Sequence, residues 1–144
     1  MKQILTFLCL LAAFFTAPYV IPAQRITIPA DLLAASDLIE PQPDYRFTSD
    51  GCSGGLSLFW RILFRESPSF EHCCVTHDFA YWRGGTSDER ERADAVLWRC
   101  VTLIGRPTWA WIMWAGVRPG GHPGLPFPWR WGYGNHYRPF YAEN

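Results

Sequence analysis

Two adjacent cysteines, Cys73 and Cys74, in a stretch of helical character constrain this chain more than any other feature. Neighbouring cysteines bond each other only with strain, so each needs a partner elsewhere. The fold must therefore bring two other cysteines to one short segment. The chain has five cysteines in 144 residues, a length that suggests a single domain. Cys9 falls in the N-terminal stretch "MKQILTFLCLLAAFFTAPYVIPAQR", where Lys2 precedes an apolar run from Ile4 to Phe15 and a small-residue region ending in "IPA". This is the pattern of an export leader, with cleavage expected after Ala23 and a domain over 24–144. The competing reading is an uncleaved anchor, although the run is short for a full bilayer span. Either reading places the remainder outside the cytoplasm, as a secreted, periplasmic or cell-envelope protein. Cys52, Cys73, Cys74 and Cys100 then remain. An even count in a small exported domain implies disulfides. Setting aside the vicinal bond leaves two pairings. A zinc site built from these cysteines with His72 or His77 is the rival, but it favours C-x-x-C spacing and reduced thiols.

Charge argues against a nucleic-acid partner, because 13 basic and 13 acidic residues balance. Lys2 is the only lysine, so every other cation is arginine. Eight tryptophans, concentrated towards the C-terminus, suggest an apolar or interfacial surface.

The chain reads as mainly α. "PADLLAASDLIE" suits a short helix capped near Pro29–Asp31 and ended by "PQPDY". "TSDGCSGG", residues 48–55, is a glycine-rich loop, and Leu56 to Phe64 is a short helix or a loop lid. "ESPSFEHCCVTHDFAYWRGG" reads as a helix with Ser67 as N-cap, Pro68 in the first turn and Gly84–Gly85 as the stop. "TSDERERADAVLWRCVTLIG" reads as the next helix, capped by Thr86 or Ser87, with acids in its first turn and Gly105 at its end. The short Gly-Gly link makes these two antiparallel neighbours. "PTWAWIMWAGV" is either a third, buried helix or an interfacial patch; it is too short to cross a bilayer. A small domain's need for buried apolar area favours the first. The Pro-, Gly- and aromatic-rich end of the 105–144 region is expected to be irregular.

At about 100° per residue, Phe70, Cys73, Cys74, His77, Ala80 and Tyr81 share one arc of the first long helix. Asp78 lies at its edge, and Val75, Phe79 and Trp82 point elsewhere. On the second, Leu97, Cys100, Val101 and Ile104 form the apolar arc, with Asp94 at its border and Arg92 and Arg99 facing away. A Cys73–Cys100 bond would tie the inner faces together and contribute roughly 3–4 kcal/mol in the chain-entropy model. It would also set a register in which His77, one turn beyond Cys73, approaches Asp94, nearly two turns before Cys100. An aspartate that accepts from one imidazole nitrogen leaves the other as a base. Cys74 would then pair with Cys52 and pin the loop beside Asp78, where Asp50, Asp78 and loop carbonyls make an oxygen-rich pocket of the kind calcium favours. Plainer readings compete. Asp78 pairs with Arg83, Asp94 with Arg90 at helical spacing, and Asp50 before glycine is an ordinary turn. Tyr81 is a packing residue in the same vein, and His72, His122 and His136 are surface residues.

"CCVTHDFAY" resembles the active-site helix of the secreted phospholipase A2 superfamily, Cys-Cys-x-x-His-Asp-x-x-Tyr, and "SDGCS" resembles the calcium loop of its bacterial and fungal branch. Asp94, six residues before Cys100, matches as well. The resemblance covers about residues 48–104. It implies a phospholipase A2-like fold with two disulfide-linked antiparallel helices, in which His77 activates water, Asp94 orients His77, and Tyr81 hydrogen-bonds within that network. Calcium would be held by Asp78, the Asp50 side chain and the Gly51 carbonyl, and would stabilise the oxyanion together with a loop N–H. The implied reaction is hydrolysis of the sn-2 ester of a glycerophospholipid, by a monomer acting on a membrane surface or micelle. The pattern is departed from at "CSGG", one residue shorter than in animal members, and at "GGLSLFW", where the bacterial loop usually continues into Pro-Asp. The Trp-rich C-terminal region has no counterpart. Two alternatives stand beside it: a non-catalytic exported member that binds lipid or protein, and a membrane-anchored envelope protein.

Overall fold

A computed structural model describes residues 28–39, 42–52 and 56–142. The leader expected over residues 1–23 lies outside them. Five helices and no strands occur among the described residues: α1 (Ala30–Asp37), α2 (Leu56–Phe64), α3 (Glu71–Arg83), α4 (Ser87–Leu103) and α5 (Pro107–Gly120). None of these is long and apolar enough to cross a membrane.

The ends of α3 and α4 follow from local chemistry. Gly84 and Gly85 take φ of 74° and 135°, which residues with a Cβ adopt rarely, so the chain turns there. Thr86 then caps α4 through a reciprocal box: its hydroxyl accepts from the Glu89 N–H, and the Glu89 carboxylate accepts from the Thr86 N–H. Gly105, at φ 80°, ends α4, and Pro107 opens α5. The expected cap at Ser67 is not formed. Helix α3 begins after Phe70, and the Ser67 hydroxyl instead accepts from the Arg61 guanidinium. Arg61 also pairs with Glu71 at 2.7 Å, so a contact from α2 takes over the start of α3.

Two disulfides fasten α3, and both join the predicted partners. Cys73–Cys100 links it to α4 and Cys52–Cys74 links it to the loop before α2, with Cα separations of 5.9 and 5.0 Å. The register is antiparallel, since His77, beyond Cys73, meets Asp94, before Cys100. Helix α3 is buried on most of its circumference. One side joins Cys52, Phe70, Leu97, Val101 and Ala110 in the main core. Val75 and Trp82, on the opposite side, pack with Phe47 in a second core that Phe79, Leu32 and Tyr133 extend. The pattern of α3 therefore reads as weakly amphipathic because both of its sides are covered.

The C-terminal segment forms the second cover. It contains no helix after α5 among the described residues, as expected, yet it is tightly bound. Gly132 and Gly134 donate to the Tyr81 and Trp82 carbonyls at 2.6 and 2.9 Å, and the Trp131 indole donates to the Gly85 carbonyl. Helix α5 packs chiefly on α4. Its tryptophans divide between the two expected roles. Trp109 packs edge-on against Trp60 beside the core, whereas Trp111 and Trp114 are exposed.

Candidate active site

Asp94 is fully buried on α4, and side chains from α3 and α5 converge on it. From α3, His77 Nε2 lies 2.9 Å from Asp94 Oδ1, and the Tyr81 hydroxyl donates to the same oxygen at 2.8 Å. From α5, Arg118 donates to Asp94 Oδ2 at 2.9 Å. The carboxylate thus has hydrogen-bond donors at both oxygens and the Arg118 countercharge at one, which is what a buried charge requires. Burial alone pushes its pKa up, but the bonds from His77, Tyr81 and Arg118 outweigh it and hold Asp94 below the usual carboxylate value. The C-terminal segment backs Tyr81. Trp131 packs edge-on against Tyr81, whose phenol is pushed up by burial and by the Asp94 charge. Arg90, one turn before Asp94, does not pair with it. Its guanidinium donates to the Tyr81 and Tyr141 hydroxyls and to the Val117 and Arg118 carbonyls, so it fixes the end of α5 against α4.

With Nε2 turned to Asp94, the other nitrogen of His77 is the one left for chemistry. His77 lines a cavity of about 320 Å³ whose remaining wall is largely apolar, from Leu97, Trp109, Met113 and Val117. Gly51, Cys52 and Asp78 line the same cavity, so the imidazole and the loop held by Cys52–Cys74 face one space. Gly121 lines it as well. A Cβ there would meet the Tyr81 ring and come within 2.6 Å of its hydroxyl, so only glycine fits without moving Tyr81.

Asp78 sits beside the dyad in a different electrostatic state. It is 8 % exposed and pairs with no basic side chain among the described residues. Arg83, the plainer partner, binds Glu89 instead. Burial raises the Asp78 pKa well above its ordinary value; the Ser49 hydroxyl, donating to Oδ2 at 2.5 Å, works against this, and the nearby Asp50 charge adds to it. Asp50, Asp78, Ser49 and Tyr133 line a second cavity of about 210 Å³. A buried acid without a countercharge, next to another acid and among oxygen donors, fits a hard divalent cation such as calcium. Gly51, at φ 78°, makes the turn that the loop needs. The Gly51 and Cys52 amides are already donated to the Ser49 and Ser57 hydroxyls, so neither is left as the expected loop donor to an oxyanion.

One other grouping of ligand-type atoms occurs among the described residues: His72 with the sulfurs of Cys73 and Cys100. Those sulfurs are bonded to each other and carry no thiolate, so the arrangement is not a zinc site. His72, His122 and His136 are exposed, as expected; His136 is held by Asp44 at 2.7 Å.

The residues missed by sequence reasoning are Ser49 and Arg118, while Arg90, weighed as a partner of Asp94, binds Tyr81 and the end of α5 instead. Ser49 was within reach, since it directly precedes Asp50-Gly51-Cys52. Arg118 reaches Asp94 only because α5 folds back over α4, and no local pattern encodes that. No protein-family model, curated protein or solved structure matches the chain.

Proposed function

We propose that the protein is an exported, calcium-dependent ester hydrolase of the phospholipase A2 type, which cleaves the sn-2 ester of glycerophospholipids. One observation carries this reading. A His77–Asp94 pair at 2.9 Å opens on an apolar cavity that also receives the buried, uncompensated carboxylate of Asp78.

In this reading Asp94 fixes the tautomer in which His77 Nε2 carries the proton, so Nδ1 is free to accept one from water. The activated water attacks the ester carbonyl carbon. The bond between the acyl carbon and the glycerol oxygen breaks, and His77 returns the proton to the departing alkoxide. Products are a fatty acid and a lysophospholipid. The buried Asp94 carboxylate stabilises the transient imidazolium, while Arg118 and Tyr81 keep that carboxylate in place. The apolar wall holds the acyl chain and excludes bulk water around His77. Asp78 and Asp50, with the Gly51 carbonyl, would hold calcium, which when bound supplies positive charge that polarises the ester carbonyl.

The test is fatty-acid release from mixed phospholipid vesicles by wild type and His77→Gln, with calcium and with chelator. Release that needs both calcium and His77 supports the reading. Chelator-resistant release, or a fully active His77→Gln, overturns it. Calcium binding without any hydrolysis favours a non-catalytic lipid-binding role.

A further inference from the structure

A separate cavity of about 380 Å³ shares no residue with the one at His77 and opens where the end of α3 meets α4 and the C-terminal segment. Its wall carries Arg83, Arg130 and Arg138 together with His136, and Glu89 is its one acid among the described residues. Glu89 is already engaged. Its carboxylate binds Arg83 at 2.9 Å and the Thr86 N–H at 2.9 Å. Asp44, just outside the wall, is taken by the ring and backbone N–H of His136.

Arg130 is the feature that makes this more than a basic surface. It is 6 % exposed, and no carboxylate pairs with it among the described residues. Its hydrogen bonds go to the carbonyls of Trp131, Gly132 and Asn135, and its plane rests on the Tyr137 ring, 4.8 Å from the centroid. Carbonyl dipoles satisfy N–H groups but provide no countercharge, so burial still lowers the pKa of this guanidinium. The same contacts hold the group rigid, which reduces the entropy lost when a ligand binds. Arg138 makes no side-chain hydrogen bond among the described residues and stands at the same cavity, with its charge felt by Asp44.

We propose that this cavity is a binding site for a phosphate-class oxyanion, with Arg130 as the preorganised anchor and Arg138 as the group that closes on the ligand. Guanidinium groups match the oxygens of phosphate in spacing and direction. The ligand is either free phosphate or an anionic lipid headgroup, and the site does not depend on ester hydrolysis.

The test is a titration of the purified protein with inorganic phosphate at constant ionic strength, read by the Trp131 indole N–H resonance. That indole donates to Gly85 across the cavity wall. A saturable shift is expected, weakened about tenfold in Arg138→Gln and unchanged in His77→Gln. Arg130→Gln is the less clean variant because Arg130 holds the 130–135 turn. Co-sedimentation with phosphatidylglycerol against phosphatidylcholine vesicles separates the sources. Selective, phosphate-competed binding to the first assigns a headgroup, and a phosphate shift without vesicle binding assigns a soluble anion. No saturable shift, or an identical one in a folded Arg138→Gln, overturns the proposal. His77→Gln keeps this outcome separate from failure of the hydrolase reading.

Discussion

His77 and Asp78 are neighbours in sequence, yet their surroundings drive the two sides of the site apart electrostatically. His77 meets an Asp94 carboxylate that three donors keep ionised, while Asp78 is buried with no basic side chain paired to it among the described residues. The adjacent cysteines one turn earlier explain how this is built. Cys73 brings α4, and with it Asp94, against His77; Cys74 brings the loop against Asp78.

Asp94→Asn tests the first half. The amide can present either a donor or an acceptor to Nε2, so the imidazole tautomer is no longer fixed. Lipid hydrolysis is expected to fall by about 10²–10⁴-fold with substrate binding little changed. Comparison of kcat and KM on the same vesicles checks this, and a loss confined to KM would go against the assigned role.

Asp78→Asn tests the second half. In chelator the variant is expected to melt higher than wild type by about 2–5 °C, because an uncompensated buried charge has been removed. In calcium the order reverses, since only wild type gains stability from the ion. Scanning calorimetry under both conditions measures the crossover.

The two acids also predict opposite pH limbs. The folded pKa of Asp94 lies below its unfolded value. Its contribution is therefore present above the ordinary carboxylate value and is lost as pH falls through the depressed pKa. The folded pKa of Asp78 is raised. Without calcium, stability therefore declines as pH rises from the ordinary carboxylate value through the raised one. Denaturant melts across that range should show the decline in wild type and its absence in Asp78→Asn.

Gly121→Ala probes the support beneath the site. Its Cβ would press on the Tyr81 hydroxyl that holds Asp94. A destabilisation of about 1–3 kcal/mol is expected, with activity lost in the protein that still folds. Urea unfolding and the vesicle assay together measure it.

Much of this site was legible in the sequence, because its parts are local or fixed by a cross-link. Gly84–Gly85, Thr86 and Gly105 mark the ends of α3 and α4 through backbone chemistry that needs no tertiary context. The Cys73–Cys100 staple then set the register that joins His77 to Asp94. What escaped depends on distant chain returning to the same place. Arg118 lies 24 residues from Asp94, and Trp131 lies 46 from the Gly85 carbonyl it binds. The start of α3 was misplaced for the same reason, since Arg61 on α2 takes the Ser67 hydroxyl that would have capped it. The second core behind Val75 and Trp82 was hidden too, because covering both sides of a helix blurs its periodicity.

The most direct measurement of the central claim uses a phospholipid with different acyl chains at sn-1 and sn-2, incubated with the protein and calcium in ¹⁸O-water and analysed by mass spectrometry. An imidazole-activated water attacking the acyl carbon predicts that the sn-2 fatty acid alone is released, carries one ¹⁸O, and disappears from both His77→Gln and chelated reactions. Unlabelled fatty acid, release from sn-1, or the same product from His77→Gln would contradict it.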